Sequence, residues 1–441
     1  MKKRILIFIL TALFVTGCGA RNEQSQETDE NGKEVLVIAT FEDNPAVNKQ
    51  VDLFNQNNDT YKIEIKKYER ATQSEEDGVA KLQREIMSGK GPDIIDFGAE
   101  YTTSDIAGKY TENLLPYLEN TECGQDCFSN IIEAFCHQEG LYALPVSFKL
   151  ETFMGNSEEL GGRTSWNISE MMSCYEEKSK DMLLYPGQIK KDVFGTILTG
   201  SMDYYIDWEN GTCSFDGEEF RRVLEFCNTF PDELVWEEDF SVKRLYENGE
   251  ALLMPGRFYS IYDICSSELI FGEADVTYIG FPVEGGSGTV IKPAETSLAI
   301  SIGSDHKDVA WEFICQFLDK TYQSEIDDSF PIRRSVLEEK LLANRTPEYT
   351  TDADGNQKPV AKSEQLFEGE DPVEIYCVTE EQANELLYLI ESASICAATD
   401  YQLYNVFLEE AESYFSGDKT LEEAIAVMQS RASIYVGEKV K

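Results

Sequence analysis

Apart from carboxylates, groups able to make or break bonds are few in this 441-residue chain. It carries two histidines, His137 and His306, and eleven cysteines, against 82 acidic residues. It has no Gly-x-Ser-x-Gly elbow, no phosphate-cradling glycine loop and no His-Glu-x-x-His pair. Nucleophilic hydrolysis, phosphoryl transfer and zinc proteolysis therefore lack their sequence signatures. Two histidines without a Cys-x-x-Cys pair argue against a zinc site, and nothing implies a metal or a cofactor. Paired carboxylates about 5 to 9.5 Å apart could hydrolyse a glycosidic bond, and Glu237-Glu238 is one adjacent pair. With so many acids such pairs arise by chance, and no eightfold strand–helix repeat accompanies them. The residue types suit reversible binding better. The 24 Phe and 22 Tyr offer flat apolar faces, while the acids, Asn and Arg offer planar hydrogen-bonding groups. A sugar's C–H faces and hydroxyls need both.

The N-terminus sets the compartment. Lys2, Lys3 and Arg4 precede an apolar run from Ile5 to Val15. That run is shorter than the roughly 20 residues a membrane span needs, so residues 1–18 read as a secretory leader. Val15-Thr16-Gly17-Cys18 ends it and resembles the lipobox of bacterial lipoproteins, whose cysteine is lipidated. Such an anchor carries more than one acyl chain and holds stably. An ordinary leader with an incidental cysteine is the plainer alternative. Residues 19–33 hold nothing apolar to bury and read as a flexible tether. Ten cysteines follow, an even number in an exported chain. Cys123 and Cys127 lie in a loop-like segment where a local disulfide is feasible. The rest sit among apolar neighbours, where a free thiol packs as a small hydrophobe, and their pairing stays open.

A formal charge of −44 repels phosphate backbones and anionic lipid, so nucleic acid is excluded as a partner and contact with the membrane is left to the anchor. The elements that must position any site are legible from Glu34 onward. Glu34–Thr40 is a β-branched run suited to a strand buried on both faces. Asn44-Pro45 opens a helix with Val47, Val51 and Phe54 on one face. Residues 61–68 alternate as a second strand. Val79, Leu82 and Ile86 mark a helix stopped by Ser88-Gly89-Lys90-Gly91-Pro92, and Asp93–Phe97 is a third strand. Strand alternating with helix predicts a parallel α/β sheet.

From Leu82-Gln-Arg-Glu-Ile-Met-Ser-Gly-Lys-Gly-Pro-Asp-Ile-Ile-Asp96 onward the chain resembles the carbohydrate-binding family of extracellular solute-binding proteins of bacterial ABC importers. Gly140-Leu-Tyr-Ala-Leu-Pro145 resembles the family's crossover and Trp166-Asn-Ile-Ser-Glu170 a helix start. Asn248-Gly-Glu-Ala-Leu-Leu-Met254 resembles a strand, Gly280-Phe-Pro282 with Val309-Ala-Trp-Glu-Phe313 the return, and Gly417–Ala424 the closing helix. The resemblance implies an α/β, two-lobed periplasmic-binding-protein-like fold of type II with a hinged ligand cleft. Lobe one would take 34–146 and 292–331, and lobe two 147–291 and 332–441. It implies a monomer that binds a small molecule between the lobes, without catalysis, and delivers it to the importer's membrane subunits. Ligands sit beyond the carboxyl ends of parallel strands. That rule selects Glu42 beside Asp43, Glu100 and Tyr101, then Phe148, Lys149 and Glu151 after the crossover. It also selects Trp208, then Arg257, Phe258 and Tyr259 after the strand ending at Met254, and Glu295.

The expected solute is a sugar or oligosaccharide. A polyamine or other cation is the alternative, because carboxylates are abundant. A secreted glycoside hydrolase and a structural lipoprotein are the remote ones.

Overall fold

The computed structural model describes residues 28–69, 77–99, 108–137, 140–234, 241–352, 354–367, 371–396 and 401–439. Cys18, Glu100 and Tyr101 lie outside them. Two sheets organise the chain. In chain order their strands are β1 (Glu34–Thr40), β2 (Tyr61–Lys67), β3 (Ile94–Asp96), β4 (Leu144–Pro145), β5 (Ser147–Asn156) and β6 (Met254–Phe258). There follow β7 (Val276–Thr277), β8 (Val290–Pro293), β9 (Ser297–Ile300), β10 (Phe330–Pro331) and β11 (Ile395–Cys396). The first sheet has the order β2-β1-β3-β9-β4, and the second β10-β5-β8-β11 with β6 and β7 also paired to β5.

In the first sheet β1 runs parallel to both β2 and β3, as the strand–helix alternation requires. The helix Pro45–Asn57 buries Val47, Val51 and Phe54, the face expected from their spacing. The helix Gly78–Met87 ends on Gly89, whose φ of +71° is a left-handed conformation that favours glycine. Lys90 N–H then bonds Glu85 O (2.8 Å) and Gly89 N–H bonds Ile86 O (3.0 Å), a paired cap that satisfies the last carbonyls. Asp93 follows and is scaffold. Its Oδ2 accepts Val37 N–H (2.9 Å) and its Oδ1 the Ser304 hydroxyl (2.6 Å), fastening β1 to the turn after β9.

In the second sheet β5 is covered on one face along its length and on the other only beyond Glu151. Phe148, Leu150 and Met154 join a core shared with the first sheet's residues. Phe153 faces a separate core of helices around Phe194, Phe220 and Phe407. The motif residues Trp166 and Gly280 meet at the edge of that second core. The Trp166 indole donates to Gly280 O (3.0 Å). At Gly280 an added Cβ would lie 2.0 Å from Ser287 O, so backbone packs where a side chain cannot. Asn167 and Glu170 close a reciprocal capping box at the next helix, Ile168–Glu176.

Two expectations change. The strand placed at Asn248–Met254 begins at Met254 instead. Gly249 has φ +66° after a helix end, and Leu252 and Leu253 donate N–H to Leu183 O and Leu184 O rather than to a sheet. Glu122–Gln125 is a short helix, not a loop, and Cys127 Sγ donates to Cys123 O (3.4 Å) in place of a disulfide. The partner of Cys123 is the side chain of Cys315 on the neighbouring helix Lys307–Leu318, and this contact holds the Cys123 thiol below its ordinary value. All ten cysteines in the described residues are free thiols.

The chain passes between the sheets through Val146 and through Ala294–Thr296. A third passage leads from the helix Lys307–Leu318 through Lys320–Ser324 into β10. Val146 N–H bonds Thr296 O (3.1 Å) and Ala294 N–H bonds Ser147 O (3.0 Å). The amide of Gln323, at 0% exposure, donates to Val146 O (2.8 Å) and Phe317 O (2.7 Å) and accepts Arg333 N–H (3.2 Å). Gln323→Met keeps the volume and orphans these buried groups, so it should cost about 2–4 kcal/mol in urea unfolding. An unchanged midpoint would show that the amide is dispensable.

Candidate functional site

The carboxyl ends of β1 and β3 point to where the crossings gather. Asn44 caps the helix Pro45–Asn57 with its Oδ1, which accepts from Ala46 N–H (3.1 Å) and Val47 N–H (3.2 Å). Its Nδ2 reaches Asp96 Oδ2 (2.9 Å), Thr296 Oγ1 (2.9 Å) and Glu295 O (3.3 Å). One side chain thus ties a helix start, a strand end and a crossing. Asp96 is 3% exposed and also accepts Gly98 N–H (3.0 Å) and Ser297 N–H (3.2 Å), both on Oδ1. Burial without a cation raises its pKa to about 6, against the hydrogen bonds that lower it. The hydroxyls of Thr40 and Ser297, buried beside it, lack a partner among the described residues. Glu42 and Glu295 flank this floor and are exposed.

The second sheet contributes a polar face. Lys149 and Glu151 alternate along β5 with the buried Phe148 and Leu150. Register sets Lys292 of β8 opposite Lys149, and Arg257 of β6 opposite Glu151. Glu151, with 16% of its side chain exposed, accepts Lys292 Nζ at 2.6 Å, and Arg257 Nε lies 3.9 Å away. Lys149 Nζ sits 4.9 Å from the centre of the Tyr259 ring, which is 38% exposed. Arg257 also lines a recess of about 560 Å³ between β6, the helix Asp263–Ile270 and the segment Ser363–Gln365.

The structure therefore assembles Lys149, Glu151, Arg257 and Tyr259 on one sheet and sets Glu42 and Glu295 by the other. Arg257 and Phe258 lie within β6, and only Tyr259 follows it. Phe148 and Phe258 are fully buried and are corrected to packing residues. The Phe148 ring lies 5.7 Å from Phe330 and 6.1 Å from Phe128, and Phe258 lies 5.9 Å from Tyr278. Trp208 sits elsewhere, in the turn between the paired segments Ile206–Asp207 and Thr212–Cys213. There its Nε1 donates to Asp203 Oδ1 (3.0 Å) and its ring packs on the second core. Sequence reasoning missed Asn44, Asp96 and Lys292. A charge ending the apolar strand Ile94–Asp96 was the available signal for Asp96. Lys292 gave none, because its partner is a cross-strand neighbour far away in sequence.

Residues 49–354 match the family model described as bacterial extracellular solute-binding protein. The chain belongs to that family. It is an extracellular solute-binding protein of ABC transporters, with the two-lobed periplasmic-binding-protein fold, and its family binds rather than transforms its small molecule. Among solved structures it resembles the sugar-binding protein MalE from Xanthomonas citri (15% identity, TM-score 0.56, covering 92% of this chain and 98% of that one). It also resembles a periplasmic oligogalacturonide binding protein from Yersinia enterocolitica (13%, TM-score 0.56, covering 92% and 100%). A third is the cyclic alpha-maltosyl-1,6-maltose binding protein from Arthrobacter globiformis (14%, TM-score 0.53, covering 92% and 100%). At these identities the likeness shows the fold alone. None of the curated proteins compared with the chain matches it. No helix among the described residues is long and apolar enough to cross a membrane.

Asp96 gives this binding protein a measurable pH signature. Its pKa is higher folded than unfolded, so the folded state holds the extra proton between pH about 4 and 6. Stability from this group is full below pH about 4 and falls as pH rises through 6. Above that the loss is about 3 kcal/mol. The unfolding free energy of the wild type relative to Asp96→Asn should drop by about that much from pH 4 to pH 7. A pH-independent difference would remove the burial argument.

Proposed function

We propose that this solute-binding protein closes its two lobes on a saccharide and presents the closed form to its importer. Lobe one is built on the first sheet and lobe two on the second, and the three crossings between them form the hinge. The carrying observation is the pairing of an exposed aromatic face, Tyr259, with planar and charged hydrogen-bonding groups at Lys149, Glu151 and Arg257. A ring accepts the apolar face of a sugar, and the groups around it take the hydroxyls. Glu42 and Glu295, with Glu100 and Tyr101, are the proposed contacts from lobe one. Phe148 and Phe258 act from behind, by fixing the strands.

The three structures of the same fold bind, by their descriptions, a sugar, cyclic alpha-maltosyl-1,6-maltose and an oligogalacturonide, which supports the same class of solute here. A polyamine fits less well, since its ammonium groups would approach Lys149, Lys292 and Arg257. Anchoring follows from the lipobox, with Cys18 as the lipidated residue and the protein working as a monomer on the outer face of the cytoplasmic membrane.

A thermal-shift screen of the protein against saccharides, polyamines and amino acids tests the solute class. A ligand at 100 times its Kd should add about 2.7 kcal/mol of stability. A response to spermidine alone would sink the saccharide reading. Two substitutions separate contact from packing. Tyr259→Ala should weaken saccharide binding by about 1 kcal/mol at unchanged stability. Phe258→Ala should instead lose about 3–5 kcal/mol of folding stability. The reverse pattern would move the platform to Phe258.

A further inference from the structure

We propose that the solute is an acidic saccharide whose carboxylate is held by Lys149, Lys292 and Arg257. The inference rests on the saccharide reading above and adds the charge of the sugar. Lys149 and Lys292 stand directly opposite one another on antiparallel strands, an arrangement that ordinarily destabilises a sheet. Arg257 joins them from β6, next to Glu151 on the other side of β5. Glu151 is the one carboxylate that β5, β6 and β8 themselves set beside the three cations. It is engaged by Lys292 at 2.6 Å and leaves Arg257 at a loose 3.9 Å, with 69% of the Arg257 side chain exposed.

Lys149 has no carboxylate partner among the described residues. It rests over one face of the Tyr259 ring, which holds the ammonium beside the proposed sugar platform and leaves the other face for the sugar. Two further acids approach Arg257 from the recess, Asp263 and Glu364. Asp263 is occupied, since its Oδ2 accepts Tyr259 N–H (2.5 Å) and Ser260 N–H (2.7 Å). Glu364 lines the recess from the separate segment Ser363–Gln365. In a chain of net charge −44, three cations around one acid form a local exception to the surface. A guanidinium offers a carboxylate two parallel hydrogen bonds, and an ammonium offers a strong point charge. A uronate satisfies the unmet donors and relieves the Lys149–Lys292 repulsion, with its ring on Tyr259. A neutral sugar leaves that repulsion in place.

The test is calorimetric titration of the protein with galacturonate, glucuronate and trigalacturonate beside galactose, glucose and galactotriose, with spermidine as a cationic control. At least one uronate should bind about ten-fold or more tightly than its neutral counterpart, and its affinity should fall as sodium chloride is raised. Lys149→Met, which breaks no ion pair with a described residue, should lower uronate affinity about ten-fold without lowering the thermal midpoint of the unliganded protein. Binding of neutral sugars without preference for any uronate overturns this inference and leaves the saccharide reading standing. Binding of spermidine alone overturns both. Absence of uronate binding, or full uronate affinity in Lys149→Met, overturns the inference as well.

Discussion

A chain that crosses between two sheets must bury peptide groups where neither sheet can pair them. Such groups cost about 1–3 kcal/mol each when left unmade. This protein meets that constraint by letting the crossings pair with one another, Val146 with Thr296 and Ala294 with Ser147. The buried amide of Gln323 fills the remaining vacancies. The solution is local, and beside it the two sheets share the core that Phe148, Leu150 and Met154 join. A joint of this kind resists unfolding. Bending at short crossings is how two-lobed receptors close.

The same crossings place the polar groups. Asp96 and Glu295 lie where β3 ends and β9 begins, and Lys149, Glu151 and Lys292 lie a few residues into β5 and β8. Two carboxylates with little exposed surface, Asp96 and Glu151, meet opposite environments. Asp96 is surrounded by neutral donors, so desolvation dominates and raises its pKa. Glu151 sits within reach of cations. The first is suited to holding a crossing in place. The second keeps a charged surface organised, with donors still facing solvent.

Much of lobe one could be read before the coordinates. Val47, Val51 and Phe54 repeat with the helical period, and the Gly89 stop obeys capping chemistry that depends only on neighbours in sequence. Lobe two was harder. The apolar run Ala251–Met254 resembles a strand in composition, yet it is buried by pairing with Leu183 and Leu184, and the sheet takes over only at Met254. That shift moved Phe258 from an expected cleft position into the core. Within a strand, parity decides which side chains face out, and a local reading cannot fix parity without the partner strand. The surroundings of Trp208 were not legible for another reason, because aromatic and polar neighbours look alike in a binding cleft and in a turn packed on helices. Lys292 became visible only once β8 was laid against β5.

The overall charge and the local charge act over different distances. At physiological salt the screening length is about 8 Å, so most of the −44 carried by the chain is invisible to a group seated on the β5 face. What such a group meets is Lys149, Lys292, Arg257 and Glu151, together with the low-dielectric core behind Phe148 and Leu150. Distant acids can slow the approach of an anion, an effect on association that salt relieves. Affinity is set by contacts within a few ångströms, where the cations prevail. An acidic exterior and a cation-lined strand face are therefore compatible, and the exterior says more about solubility than about the solute.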